Sequence, residues 1–421
     1  MLDQRGIISR NVNYPSARKF QQVLFKYPII ISARPFILFL NMDKRLLKHL
    51  SSPLLAAVLF TIPLHSHAKT ELLTSQVVDQ YAEHIFYNSG AMGMALVVID
   101  NNQVVNRSFG ETKPGNNLRP RPDSLIRIAS ITKLMTSEVM VKLADDGTVK
   151  LTDPLRKYAP KGSRVPSYNA KQPITLLNLA SHTSGLPREQ PGGPQKRPVF
   201  TWPTKDNRWQ WLKQANVTVP PGVKAAYSNL AYDLLADALS RASGKPYTSL
   251  LRDKITAPLG MKNTTLTPTA EQCNRLMIGV GSSRCENTIA AAGSGGVYST
   301  PEDMQRWMQQ FLSSDNSARK SSARREQALY FQRRDLTALK GMDVAGQADA
   351  LGLGWVYMAP NAELPGIMQK TGGGGGFITY MAMIPEKNIG VFVVVTRTQL
   401  TKFSNMSDGV NQLVAQLANN S

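Results

Sequence analysis

Cysteine and histidine are scarce in this sequence, which has two cysteines and five histidines among 421 residues. Two cysteines are too few for a disulfide framework, so a fold of this size has to depend on a hydrophobic core. Hydrophobic residues make up 42% and charged residues 19% of the chain, which is enough for such a core. The absence of any run of eighteen apolar residues without charge or proline argues against a mature protein that spans a membrane.

Two familiar catalytic motifs are also absent. The sequence has no HExxH, the zinc-binding pattern of many peptidases, and no GxSxG, the nucleophile motif of hydrolases that use histidine as the base. Three of the five histidines precede residue 69, which leaves His84 and His182 for any later site. We therefore predict no metal site and no histidine base, and we interpret His182 as a packing residue.

Residues 42–68 have the succession of basic, apolar and small residues that is typical of a secretory signal peptide. Three basic residues follow Met42, an apolar stretch extends over residues 50–64, and the small residues Ser66 and Ala68 come last. Signal peptidase cleaves after such small residues, so we predict cleavage after Ala68 and a periplasmic location for the mature chain. The alternative interpretation of this segment is a short buried helix.

Residues 1–41 do not follow that order. Their apolar run is interrupted by charged residues and prolines, which are costly in a bilayer. We interpret this segment as a doubtful N-terminal extension, with translation starting at Met42; a long basic leader region is the alternative. Residues 69–421 are then the mature chain, and we expect them to form a single catalytic unit.

The sequence carries a formal net charge of +20, most of which belongs to residues 69–421. An exported protein rarely meets nucleic acid, so this excess predicts an anionic envelope polymer or peripheral contact with an anionic membrane surface, and no nucleic acid partner. We favour a solvated helix face over a binding surface for the densest basic cluster. This cluster consists of Arg319, Lys320, Arg324, Arg325, Arg333 and Arg334.

Both cysteines, Cys273 and Cys285, lie in the mature chain with eleven residues between them. In an oxidising compartment this pair is predicted to form a disulfide that closes a small loop and stabilises the fold by about 3 kcal/mol. Two free thiols are the alternative, and two cysteines alone do not make a zinc site.

Strand patterns occur at both ends of the chain, whereas the middle is helical. The strand patterns cover residues 94–99, 103–109, 351–358, 377–384 and 391–396. Helical patterns cover residues 74–90 and 405–418 near the two ends and 130–146 at the start of the middle part. We predict an α/β fold with an antiparallel sheet formed by both chain ends and flanked by helices. The α/β lobe comes from about 69–125 and 290–421, and a largely helical lobe, about 130–265, is inserted.

A serine nucleophile without histidine can use a lysine one helical turn later, because the two side chains share a helix face. Burial and a neighbouring cation lower the pKa of such a lysine, so that it can accept the serine proton. About two SxxK matches are expected by chance, and the chain has Ser16-Lys19, Ser66-Lys69, Ser130-Lys133 and Ser317-Lys320. Of the four serines, only Ser130 follows an apolar segment, residues 125–129, and begins a predicted amphipathic helix. We therefore predict Ser130 as the nucleophile and Lys133 as its base.

Two further motifs each occur once. Tyr227-Ser228-Asn229 precedes a helical run, and Lys370-Thr371-Gly372 lies just before a predicted strand. A tyrosine near two lysines suits a general base, and a lysine with a threonine at a strand edge can bind a carboxylate. The glycine run from 372 to 376 lets an extended peptide approach that edge closely.

The three motifs, in this order and at gaps of 97 and 143 residues, resemble the active-site motifs of penicillin-recognising serine enzymes. Tyrosine at the start of the second motif is similar to class C β-lactamases and the related D-alanyl-D-alanine carboxypeptidases. The resemblance extends over residues 74–418 and implies a β-lactamase/D,D-peptidase-like fold. It also implies a serine hydrolase that needs no cofactor.

The resemblance implies a role for each matching position. Ser130 is acylated, with Lys133 and Tyr227 exchanging the proton. Asn229 holds the substrate amide. The substrate lies along residues Lys370, Thr371, Gly372 and Gly373. Lys370 and Thr371 bind its terminal carboxylate. The backbone N–H groups of Ser130 and Gly373 form the oxyanion hole.

We favour a peptidoglycan D,D-carboxypeptidase and D,D-endopeptidase that acts on stem peptides and binds β-lactam antibiotics as inhibitors or poor substrates. The first alternative is a β-lactamase, which is acylated in the same way but whose acyl-enzyme is hydrolysed quickly by water. The second is an esterase on the same scaffold, which leaves Lys370 without a carboxylate to bind. The third is a non-catalytic envelope-binding protein, which does not explain why the chemically demanding residues occur together.

Overall fold

The structure is a computed structural model that describes residues 62–312 and 318–420. The predicted signal segment up to residue 61 and the doubtful extension 1–41 lie outside the described residues. The predicted cleavage position, Ala68, lies within the first described helix. None of the helices in the described ranges combines the length and apolar character needed to cross a bilayer.

An eight-stranded antiparallel sheet forms the centre of the fold, and its strands are numbered here in chain order together with the short strands outside it. The strand order is β2-β1-β14-β13-β12-β11-β10-β8. The strands are β1 Gly93–Asp100, β2 Gln103–Gly110, β3 Ile126–Arg127, β4 Ser167–Asn169, β5 Gln172–Pro173, β6 Ala225–Ala226, β7 Tyr298–Ser299, β8 Phe331–Gln332, β9 Leu339–Lys340, β10 Ala350–Leu351, β11 Val356–Met358, β12 Ile367–Gly374, β13 Phe377–Ile384 and β14 Ile389–Thr396.

Ten α-helices surround this sheet in the part of the chain that the structure describes. The helices are α1 Ile62–Ser89, α2 Thr132–Asp145, α3 Leu176–Ala180, α4 Lys205–Leu212, α5 Asn229–Ser243, α6 Tyr247–Leu251, α7 Ala270–Asn274, α8 Pro301–Leu312, α9 Ala318–Gln327 and α10 Phe403–Asn420. Most of the helices between α2 and α7 belong to the inserted middle of the chain.

The two ends of the chain meet where β1 pairs with β14. The pairing is continuous over eight residues, from Gly93 opposite Thr396 to Asp100 opposite Ile389. This pairing confirms the prediction of one antiparallel sheet built from both termini. It also explains how motifs far apart in sequence can share one site, because the sheet closes around the whole helical insertion.

Both faces of the central strands are buried. In β14 the side chains of Val391, Val393 and Val395 pack against the terminal helices α1 and α10. The alternate residues Phe392 and Val394 face the opposite core, which the helical middle of the chain shares. Because each fully buried side chain of this kind contributes about 1.5–3 kcal/mol, the two cores hold the sheet firmly in place.

Several sequence predictions are confirmed closely. The hairpin of β1 and β2, the strand at 377–384 and the helix near 405–418 all form. The turn between β13 and β14 contains Asn388 in the left-handed region, with φ of 55°. Asparagine tolerates this conformation better than most residues, which accounts for the tight return of the chain.

Two sequence predictions require correction. The strand predicted at 351–358 is a hairpin of the short strands β10 and β11, because Gly354 has a φ of 81° and the N–H of Gly352 donates to the carbonyl of Trp355. The Lys370 motif does lie just before the predicted strand at 377–384, but it also belongs to a strand of its own, β12, which was not predicted. The sequence pattern does not predict this strand, because glycines 372–374 have a low strand propensity.

The helix after Ser130 was predicted as amphipathic, and it is buried on almost every side. Helix α2 packs between the sheet core and the helices α5, α6 and α9. The structure also contains the predicted disulfide between Cys273 and Cys285, which links α7 to the loop that follows it. The carbonyls of Ser283 and Arg284 in that loop accept hydrogen bonds from Arg127, three residues before Ser130.

Candidate active site

Ser130 lies in the tight 3-10 turn Ala129–Ile131, which connects strand β3 to helix α2. The preceding residue, Ala129, is fully buried and has a φ of 47°, a left-handed conformation that costs a residue with a side chain about 1–3 kcal/mol. The surrounding core holds this strained backbone in place. The turn leaves Ser130 only partly buried, at the surface of a rigid element.

Two proton-carrying groups contact the hydroxyl of Ser130. The Nζ atom of Lys133 lies 3.1 Å from Ser130 Oγ, and the Tyr227 hydroxyl donates a hydrogen bond of 2.6 Å to the same oxygen. Lys133 reaches it from the next turn of the chain, whereas Tyr227 comes from the segment before α5. The structure therefore brings together the serine, the lysine and the tyrosine that the sequence singled out.

Lys133 is fully buried, and burial lowers the pKa of its ammonium group to about 7. Its Nζ also donates to Asn229 Oδ1 at 2.7 Å and to the carbonyl oxygen of Ser294 at 2.6 Å. These three contacts hold the amine in one orientation. A lysine with this pKa is partly neutral near pH 7 and can accept a proton from Ser130.

Asp233 supports this lysine from behind. Its carboxylate accepts hydrogen bonds from the backbone N–H groups of Gly293 and Ser294 and from the Ser294 hydroxyl. It thereby fixes the carbonyl that binds Lys133. Burial raises the pKa of Asp233 to about 6, so the carboxylate is still mostly ionised at neutral pH and favours the protonated form of Lys133.

Tyr227 is surrounded by an imidazole and three cations. The ring of His182 stacks on it with centroids 4.5 Å apart. The charged groups of Lys133, Lys370 and Arg188 lie 4.8, 5.1 and 4.8 Å from the centroid of its ring. These contacts hold the Tyr227 ring in one position, with its hydroxyl on Ser130 Oγ.

His182 is a packing residue, as its interpretation from the sequence supposes. It is buried, and its Nδ1 accepts the backbone N–H of Ser228 at 3.0 Å. Burial, with help from the nearby charges of Lys370 and Lys133, lowers the pKa of this imidazole well below its usual value. The neutral ring therefore supports Tyr227 without contacting Ser130.

Strand β12 forms the other wall of the site. Lys370 is buried, and burial lowers the pKa of its amine to about 8, so that most of it is charged at pH 7. An added Cβ at Gly372 would lie 3.0 Å from the nitrogen of Ser130 and 2.2 Å from Thr379 Oγ1. Only glycine permits this approach, which sets the edge of the strand directly beside Ser130. Gly373 is exposed next to it.

The comparisons with known proteins agree with this geometry. Residues 75–416 match the Beta-lactamase family. The chain belongs to this family. A search of curated proteins finds 64% identity over 375 residues with the D-alanyl-D-alanine-carboxypeptidase/endopeptidase AmpH of Escherichia coli K12, covering 88% of this chain and 97% of the relative. The family resemblance deduced from the three motifs is thus confirmed.

Solved structures show the same β-lactamase-family fold. A Beta-lactamase/D-alanine Carboxypeptidase from Yersinia pestis, complexed with citrate, is 90% identical with a TM-score of 0.81, and the match covers 82% of this chain and 99% of that one. A class C β-lactamase from Rhodobacter sphaeroides is 18% identical with a TM-score of 0.65, covering 82% and 100% of the two chains. At that identity the second likeness concerns the fold alone.

Four residues of the site escaped the sequence analysis. They are Arg188, Glu189, Asp233 and Ser294. Asp233 had a detectable signal, because it lies four residues after Asn229 and so shares its helix face. The others lie in loops whose position depends on tertiary contacts.

Changing Asp233 to Asn is expected to shift the pH dependence of acylation. The amide keeps the hydrogen-bond acceptor but loses the negative charge that raises the pKa of Lys133. Lys133 then stays neutral at more acidic pH, so the acidic limb of the rate profile moves down by about one pH unit. Stopped-flow acylation with a chromogenic cephalosporin between pH 5 and 9 measures the shift; an unmoved limb would contradict the proposed base.

Proposed function

We propose that this protein is a D,D-carboxypeptidase of peptidoglycan that also acts as a D,D-endopeptidase, through an acyl-enzyme on Ser130. The observation that carries the proposal is the position of Ser130 Oγ, 3.1 Å from Lys133 Nζ and 2.6 Å from the Tyr227 hydroxyl. The name of the Escherichia coli relative, which is 64% identical, supports the substrate class.

The chemistry starts with attack of Ser130 Oγ on the carbonyl carbon of the penultimate D-alanine. Neutral Lys133 accepts the proton of the hydroxyl, and Tyr227 delivers a proton to the leaving nitrogen as the peptide C–N bond breaks. The N–H groups of Ser130 and Gly373 stabilise the oxyanion. Protonated Lys133 then returns a proton to Tyr227, which restores both groups. In the second half, water attacks the ester carbonyl and gives a proton to neutral Lys133. As the ester C–O bond breaks, Tyr227 protonates Ser130 Oγ and is reprotonated by Lys133, so that the carboxylic acid product and the free serine are formed.

The remaining predicted residues bind the substrate. The charged Lys370 and the hydroxyl of Thr371 bind the terminal carboxylate, because both lie on strand β12 where it passes Ser130. Asn229 holds the amide on the acyl side. The glycines 372 and 373 leave room for an extended peptide along the strand edge.

We also propose that the mature chain begins at residue 69 and works in the periplasm as a single catalytic unit. The order of basic, apolar and small residues in 42–68 supports export. The excess of basic residues supports attraction to an anionic cell-wall polymer, with peripheral contact at an anionic membrane surface.

Intact-mass spectrometry of purified 69–421 with benzylpenicillin, together with hydrolysis of a pentapeptide stem, tests this function. We expect a long-lived adduct at Ser130 and release of the terminal D-alanine. Rapid hydrolysis of the antibiotic, with no lasting adduct and no hydrolysis of the stem peptide, would favour the β-lactamase alternative. Turnover of simple esters alone would favour the esterase, and no reaction at all would contradict every enzymatic interpretation.

A further inference from the structure

The loop between α3 and α4 places the guanidinium group of Arg188 at the exposed side of the site. Arg188 is exposed, and its guanidinium lies 4.8 Å from the centroid of the Tyr227 ring. Cation–π attraction to the ring holds the side chain beside the reacting groups rather than in bulk solvent.

The backbone of this loop is hydrogen-bonded directly to the first residues of α5. The carbonyl of Arg188 accepts the N–H groups of Asn229 at 2.8 Å and Leu230 at 3.3 Å. The carbonyl of the preceding Pro187 accepts a hydrogen bond of 2.7 Å from the Ser228 hydroxyl. The position of Arg188 is therefore set by the same element that carries Asn229.

The guanidinium of Arg188 has no hydrogen-bond acceptor and no carboxylate within ion-pair distance among residues 62–312 and 318–420. The nearby carboxylate, Glu189, instead accepts a hydrogen bond from Asn229 Nδ2. The other two cations of the site differ, because Lys133 is occupied by three acceptors and Lys370 is buried in the strand wall. Arg188 is thus a fixed cation at the open side of the site with its donors free.

We infer that Arg188 is a second anion-binding subsite, which binds a carboxylate on the acyl side of the stem peptide. The inference rests on the proposed function. Lys370 binds the carboxylate on the leaving side, and Asn229 binds the amide on the acyl side, so a cation joined to the Asn229 backbone faces the acyl side. A guanidinium matches the two oxygens of a carboxylate with paired donors.

The stem peptide has two carboxylates on that side. One belongs to the γ-linked D-glutamyl residue, and the other to the side chain of the diamino acid. Both present the same chemistry to Arg188, so the experiment compares three pentapeptides: one with both carboxylates free, one amidated at the glutamyl carboxyl and one amidated at the diamino acid.

We expect Arg188→Gln to reduce kcat/KM for the fully charged pentapeptide by about 10-fold to 100-fold, the effect typical of a lost charged hydrogen bond. Amidating the carboxylate that Arg188 binds is expected to cause a similar loss in the wild type and no further loss in the variant. The peptide whose amidation has this effect identifies which carboxylate is bound. Arg188→Lys is expected to retain part of the preference.

Arg241→Gln is the matched control, because Arg241 is exposed on the same helix as Asn229 but about 18 Å further along it. The control is expected to leave the preference among the three peptides unchanged. An equal loss by Arg188→Gln on all three peptides, or no loss on any, would overturn the inference. Absence of wild-type hydrolysis of the fully charged peptide would overturn the proposed function instead.

Discussion

Replacing Ser130 by alanine is expected to abolish acylation by β-lactams and to reduce stem-peptide hydrolysis by at least about 1,000-fold. In the proposed mechanism the Ser130 hydroxyl forms the ester, and removing a nucleophile from a preorganised site typically costs several orders of magnitude in rate. Mass spectrometry of the variant after incubation with benzylpenicillin should show the unmodified protein, and D-alanine release should fall to background.

Ser404→Ala is the control for this change. Ser404 is exposed near the start of α10, on a different element from Ser130. Its replacement should leave both adduct formation and hydrolysis at the wild-type level. An adduct that persists in Ser130→Ala would identify another nucleophile and contradict the assigned mechanism.

Replacing Lys133 by methionine is expected to slow acylation by about 100-fold to 10,000-fold, the usual contribution of a general base. Methionine fills much of the same buried volume, so the fold should be retained while the proton acceptor is lost. The wild-type rate should fall below about pH 7, because protonated Lys133 cannot accept the Ser130 proton. In the variant this acidic limb should disappear.

The exposed Lys161 provides the matched control, since Lys161→Met removes a lysine outside the site. Acylation rates from pH 5 to 9 and thermal unfolding should be measured for both variants. A Lys133→Met protein that unfolds at nearly the wild-type temperature but acylates slowly supports the assignment. If it acylates at the wild-type rate, Tyr227 alone is the base.

Asn229 and Asp233 show which part of the site can be predicted from local sequence spacing. Four-residue spacing on a helix would have connected the two side chains, whereas nothing local connects either of them to Ser294, 161 residues after Lys133. Asp233 accepts hydrogen bonds from the backbone N–H groups of residues 293 and 294 and so helps to position the Ser294 carbonyl that contacts Lys133. Burial of these groups, and hence the pKa of Lys133, depends on that assembly.

The sequence by itself determined the hairpins, the terminal helix and the three motifs that carry the chemistry, because these depend on side-chain periodicity and residue type over short distances. Only the tertiary structure decided that Lys370 lies within a strand, that Asp233 supports the base and that Arg188 faces the mouth of the site. These relations arise when β1 pairs with β14 and closes the sheet around the helical insertion. Burial, hydrogen bonding and charge then act between residues that have no local relation in the chain.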